Sequence, residues 1–195
     1  MGNKVSVWIT LCAALASSAC AAFRGGELGE VGQLQAAGDA KKSVAVVLTA
    51  STHINGKAQD ANAQFIQKWT EVALKTYGDS GLFASVTPGL ADADVRAEIS
   101  LDDSGNASLP LAFLTGLTLY VIPAKATDNF TLKTVFKDRA GRVLGSYEKR
   151  ESVTLWLHLF MLPVFPFKSP GAVGPAALRD LNQATLLAAQ HDGLI

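Results

Sequence analysis

Two periods organise the chain. From Asp60 to Tyr77 apolar residues recur at spacings of three and four: Phe65, Ile66, Trp69, Val72, Ala73 and Tyr77 share one face, with Gln64, Gln67, Lys68, Glu71 and Lys75 opposite. That spacing predicts an amphipathic helix. Asp60 or Asn62 can cap it, Gly78 can end it, and Phe65 and Trp69 are expected in the core. From Val95 to Leu101 the period is two, with Val95, Ala97, Ile99 and Leu101 alternating with Arg96, Glu98 and Ser100. This predicts a half-exposed strand, followed by a turn at Asp102–Asn106. Phe130–Lys137 and Arg142–Arg150 alternate likewise, joined by a hairpin turn at Asp138–Gly141. The Val-rich run Ser43–Thr49 reads as a buried strand, and Ala84–Thr87 as a short one. A last helix is expected from Gly174-Pro175, with Leu178, Leu181, Thr185 and Ala188 inward and Gly193 as its stop. The order predicts an α+β fold: a single antiparallel or mixed sheet covered on one face by two helices.

Two uncharged stretches of 15 residues fit neither period: Leu109–Pro123 (LPLAFLTGLTLYVIP) and Val153–Phe167 (VTLWLHLFMLPVFPF). Both are shorter than the about 20 residues of a spanning helix. One reading makes them central strands buried on both faces, which run continuously apolar. A second makes their ends an exposed apolar surface, with Trp156, Phe160, Phe165 and Phe167 meeting a partner or a membrane. A third, barrel-forming hairpins, requires a polar alternation that both stretches lack.

The N-terminus carries the most specific signal. Lys4 precedes an apolar run from Val5 to Ala16, then Ala16, Ser17, Ser18 and Ala19 lead to Cys20. A basic start, short apolar run and small-residue cleavage region predict a signal peptide over residues 1–19. The stretch resembles the signals of bacterial lipoproteins, with Ser18 and Ala19 before the cysteine. Ser17 stands where that family usually has Leu, Val or Ile. The resemblance implies that Cys20 becomes the first mature residue and carries a lipid. With Ala21 rather than Asp next, it also implies the outer membrane, on its periplasmic side. Ordinary secretion with cleavage near Ala19 or Ala22 is the alternative; Met1-Gly2 with Ser6 also matches a myristoylation pattern, which leaves the apolar run unexplained. The chain has two cysteines, and Cys12 falls in the expected signal, so Cys20 has no disulfide partner afterwards. The Gly- and Ala-rich residues 20–40 are expected to form a flexible tether, and residues 41–195 the periplasmic domain.

Composition narrows the function. Hydrophobic residues make up 49% and charged residues 17%, with 17 basic and 17 acidic side chains, and no basic run exceeds Lys41-Lys42. A basic nucleic-acid face is therefore not expected. His53, His158 and His191 lie in three separate contexts, without a zinc-ligand spacing. Asp92, Asp94, Asp102 and Asp103 lack calcium-loop spacing. No nucleophile elbow, P-loop or dinucleotide fingerprint occurs. No cofactor, metal or catalytic function is expected.

Residues Gly81, Leu82, Phe83 and Val86, followed by Ala93, Asp94 and Val95, resemble a stretch of small periplasmic α/β domains. TolB amino-terminal domains and curli-secretion lipoproteins share this helix, Gly-Leu-Phe and strand layout. The resemblance implies an envelope-assembly or accessory role. The expectation is a non-catalytic binding or scaffold lipoprotein, held by lipid at Cys20 and touching an envelope protein through its apolar surface. The alternative is a subunit of an oligomeric secretion or transport complex.

Overall fold

The structure, a computed structural model, describes residues 20–35, 38 and 41–195. The signal peptide expected over residues 1–19 lies outside the described residues, as do 36, 37, 39 and 40. In chain order the elements are β1 (Cys20–Arg24), β2 (Ser43–Ile54), β3 (Lys57–Gln59), α1 (Ala63–Asp79), β4 (Ser85–Pro88), β5 (Val95–Ala107), α2 (Leu109–Leu117), β6 (Ala124–Asp138), β7 (Val143–Leu157) and α3 (Pro170–His191), with a 3-10 turn at Leu159–Met161. The seven strands form one mixed sheet in the order β1-β7-β6-β5-β2-β3, with β4 also beside β2. The pairs β2·β5 and β2·β4 are parallel and the others antiparallel. The fold is α+β, as the two periods predict.

Strand alternation puts Val44 and Val46, Val95 to Leu101 at odd positions, and Phe130, Leu132 and Phe136 on one face, all buried. Helices α1 and α3 pack on that face and on each other. Helix α1 contributes Ala73, Thr76 and Tyr77; α3 contributes Leu178, Leu181, Thr185, Leu186 and Ala189. The opposite face carries Arg96, Glu98, Ser100 and Asp102 from β5. The hairpin turn between β6 and β7 is built by Asp138, whose carboxylate accepts from Ala140 N–H and Arg142 N–H, both at 2.9 Å.

The structure corrects six expectations. The expected tether is part of the fold. Cys20–Arg24 is the edge strand β1, paired with β7 from Cys20↔Leu157 to Arg24↔Val153. Beyond it Leu28 and Leu34 pack against the core, and Gln183 donates to the Gly32 carbonyl at 2.8 Å. Small residues here allow close approach instead of mobility: Ala21 and Ala22 are buried. The expected turn at Asp102–Asn106 is strand, since β5 is paired with β2 as far as Gly105 and with β6 as far as Ala107. The first apolar stretch begins as helix α2, capped by Ser108 and with Pro110 in its first turn. The second is strand only to Leu157, so neither is a central strand over its length. Helix α3 starts at Pro170, one turn earlier than Pro175 suggested. Phe65 is 58% exposed, outside the core, stacked on Trp69 with ring centroids 6.0 Å apart; Trp69 packs against the core from its rim.

Arg24 fixes β1 to both layers. Its guanidinium donates to Glu151 from Nε at 3.0 Å and Nη2 at 2.6 Å, and to Asp180 of α3 from Nη1 at 2.6 Å. The Glu151 side chain is only 1% exposed and also accepts from Gly26 N–H at 2.9 Å. Removing Arg24 leaves that buried charge unpaired. Arg24→Met is therefore predicted to cost about 3–5 kcal/mol, and Arg24→Met with Glu151→Leu to recover much of the loss. Denaturant unfolding tests this; equal stability of the two variants would contradict it. In the same assay Phe136→Ala, a fully buried ring, should cost about 3–5 kcal/mol, whereas Phe65→Ala should cost below about 1 kcal/mol.

Candidate functional site

One end of the sheet gathers the residues that the sequence singles out. Strand β7 ends at Leu157, whose neighbours across the sheet are Cys20 on one side and Ala124 on the other. Next along the chain, His158 caps the 3-10 turn: its Nδ1 accepts from Phe160 N–H at 3.2 Å, and its ring meets Phe160 edge-on with centroids 4.8 Å apart. Leu159 N–H donates to the Tyr120 carbonyl at 2.9 Å, which joins this turn to the loop after α2. Successive turns then lead to Lys168, whose carbonyl accepts from Ala22 N–H at 2.8 Å. Backbone bonds thus tie both uncharged stretches and β1 into one lobe.

The lobe presents its apolar side chains outward. Phe113 is 70% exposed, Phe160 75% and Phe167 82%; Leu109, Leu117, Leu119 and Val121 are exposed as well. Of α2 only Thr115 is buried. After α2, Leu119 and Tyr120 both take left-handed backbone, at φ 50° and 65°. This is a costly conformation for such side chains. It reverses the chain so that Tyr120 N–H reaches the Thr115 carbonyl at 2.8 Å. Of the four candidate contact residues, Trp156, Phe160 and Phe167 are exposed and Phe165 is half-buried. Trp156 stands on the open face of the sheet beside Lys125, its partner in register. Helix α2 escapes a reading by period because its nine residues (LPLAFLTGL) are apolar all round; the Ser-x-Pro start after Ala107 is the signal that marks it. Cys20 is a free, partly buried thiol, and burial pushes its pKa up, so it lacks the character of a reactive thiolate.

A second constellation lies on β5 where the helices stop covering the sheet. On the open face, Asp102 accepts from Ser51 Oγ at 2.7 Å and from Ser104 Oγ at 3.2 Å, and His53 Nδ1 lies 3.0 Å from it. The Ser51 hydrogen bond holds Asp102 below its ordinary range. On the core side, Asp103 and Asp128 line a cleft of about 380 Å³ with Thr52, Gly105 and Phe65. Gly105 makes room for this: a Cβ there would meet Asp128 Oδ1 at 2.9 Å. Burial, then the charges of Asp128 and Asp102, push the Asp103 carboxyl up to about 7, and burial raises Asp128 as well. Asp103 can therefore exchange a proton near neutrality. Among the described residues no group of three or more His, Cys, Asp or Glu side chains could hold a metal. Asp92 and Asp94 meet Arg139 instead, and Asp94 accepts from Ser43 N–H at 2.9 Å.

The raised Asp103 carboxyl sets a pH dependence. Its unfolded value is about 3.9. Between that and about 7 the folded chain holds the extra proton. The contribution is thus full below the unfolded value and is lost as pH rises through about 7. Asp103→Asn is predicted to remove this fall and to stabilise the chain at about pH 8 by about 1–2 kcal/mol, reduced because water reaches the site. Urea unfolding across pH checks it; parallel curves for variant and parent would contradict it.

No family model matches the chain, and no curated protein matches it. Among solved structures it is similar to a PelC variant from Paraburkholderia phytofirmans, a dodecamer, at 15% identity over 86% of this chain and 94% of that one. The TM-score is 0.34, too loose a likeness to carry an argument about this protein.

Proposed function

We propose that this chain is a cell-envelope lipoprotein, anchored through a lipid on Cys20 and acting as a non-catalytic binding or scaffold protein through its apolar end. The observation that supports this reading is a coincidence in space. The cysteine picked out by the signal-like N-terminus begins the edge strand at the same end of the sheet as both uncharged stretches. Cys20 has no disulfide among the described residues. No helix among them is long and apolar enough to cross a membrane, so on this reading the lipid supplies the attachment. The expected place is the periplasmic side of the outer membrane.

Mass spectrometry of the mature N-terminus tests the anchor. The expected product begins at Cys20 and carries a lipid mass. Cys20→Ser is predicted to abolish that modification and to move the protein from the membrane to the soluble fraction. An unmodified terminus at Cys20 or Phe23 would overturn the reading.

A further inference from the structure

We infer that the apolar end of the sheet is itself a bilayer-docking surface, with α2 lying in the lipid headgroup region beside the 3-10 turn. This rests on the anchor reading, because Cys20 identifies the occupant. The sheet begins at Cys20 itself, so no spacer separates an attached lipid from the fold. Neighbouring strands lie about 4.8 Å apart, and each residue advances a strand by about 3.3 Å. Leu157, one strand over, and Ala124, two strands over, are therefore within about 10 Å of Cys20. A lipid on Sγ has its glycerol at headgroup depth, which places the lobe built on Leu157 and Ala124 at that depth too.

The chemistry of the lobe fits this solvent. Every exposed side chain of α2 is apolar, a pattern that calls for burial, yet α2 buries only Thr115 against the protein. At nine residues it is about 13 Å long, enough to lie along an interface and too short to cross one. No Asp or Glu occurs from Ser108 to Thr127 or from Ser152 to Arg179. The cations at the margin are Lys125 and Lys168, both exposed, which complement anionic phospholipid headgroups. Trp156 and Tyr120 border the apolar centre, and such amphipathic rings favour interfacial depth.

The test uses the full chain, purified from membranes and reconstituted in vesicles of phosphatidylethanolamine and phosphatidylglycerol with brominated acyl chains. Tryptophan is placed at the apolar end (Phe113→Trp, Phe160→Trp) and at the opposite end of β7 (Val143→Trp), each site being exposed. Emission is compared with the unsubstituted protein, and the lipid on Cys20 is checked by mass. The inference expects the added emission at positions 113 and 160 to be largely lost to bromine quenching, and that at 143 to be retained. Protein that is lipidated and vesicle-bound, but unquenched at 113 and 160, overturns the inference and leaves the anchor standing. Crosslinking of those positions to a second copy or another protein would then identify a protein interface. Quenching at 113 and 160 without lipid on Cys20 supports the docking surface and removes the anchor reading.

Discussion

The short strand β1 is the constraint on which the arrangement depends. An edge strand of five residues has little hold of its own, and Arg24 adds side-chain anchors to its ladder with β7. One guanidinium binds Glu151 in the neighbouring strand and Asp180 in the helical layer, joining β1 to two elements more than a hundred residues later in the chain. Glu151 is buried under this contact and needs it, because an unpaired carboxylate there would be strongly unfavourable. With Arg24 fixed, the ladder runs back without slack to Cys20. The chain beyond Arg24 also turns where Glu151 and Ser152 receive it, with Glu27 accepting from Ser152 N–H and Oγ.

Element lengths explain why one end of the sheet is left uncovered. Strands β6 and β7 have 15 residues each, about 50 Å at full extension. Helix α1, with 17 residues, spans only about 26 Å, and α3, with 22, about 33 Å. The helices therefore cover part of the strands, and side chains change where cover ends. Along the core-facing positions of β5, Val95, Ala97, Ile99 and Leu101 give way to Asp103 and Gly105. The opposing positions of β6 change from Leu132 and Phe130 to Asp128. The proton-holding pair sits at this border, where water enters but does not fully solvate it.

Regular periods were legible in the sequence because a single neighbour decided them. The helix from Asp60 and the strands from Val95 and Phe130 each have one covered face, and the strand from Ser43 is buried on both faces at Val44–Val46, so pattern and structure coincide. The misread segments are those where another neighbour overrides local signals. Asp102–Asn106 has turn composition but is held in the sheet by β2 as far as Gly105 and by β6 throughout. Residues 20–22 have the small side chains of a linker, and the strand they begin depends on Leu157 and Val153, more than a hundred residues away. Phe65 keeps helical spacing but lies in the first turn of α1, beside the cleft and outside the helix-sheet contact. Uniformly apolar Leu109–Leu117 has no period at all, so only its capping residues distinguish helix from strand. For the candidate contact residues, the sequence indicated Trp156, Phe160, Phe165 and Phe167, but gave no sign that α2 would join them through Tyr120.

The apolar end contributes little to the stability of the fold. Burying a large apolar side chain is worth about 1.5–3 kcal/mol, and Phe113, Phe160 and Phe167 leave most of that unrealised in the isolated chain. The left-handed Leu119 and Tyr120 add local strain to the loop that carries them. Folding alone would favour polar side chains and a glycine at these places. The hydrogen bonds around them are nonetheless ordered: Thr118 Oγ1 accepts from Ile122 N–H, and Tyr120 accepts from Leu159. A rigid backbone that holds apolar groups outward sacrifices burial within the chain while keeping those groups prearranged for burial elsewhere. On the reading proposed for Cys20, the lipid has already met the entropic cost of reaching the membrane. Each exposed Leu and Phe then adds its transfer energy to an encounter that the anchor has made intramolecular.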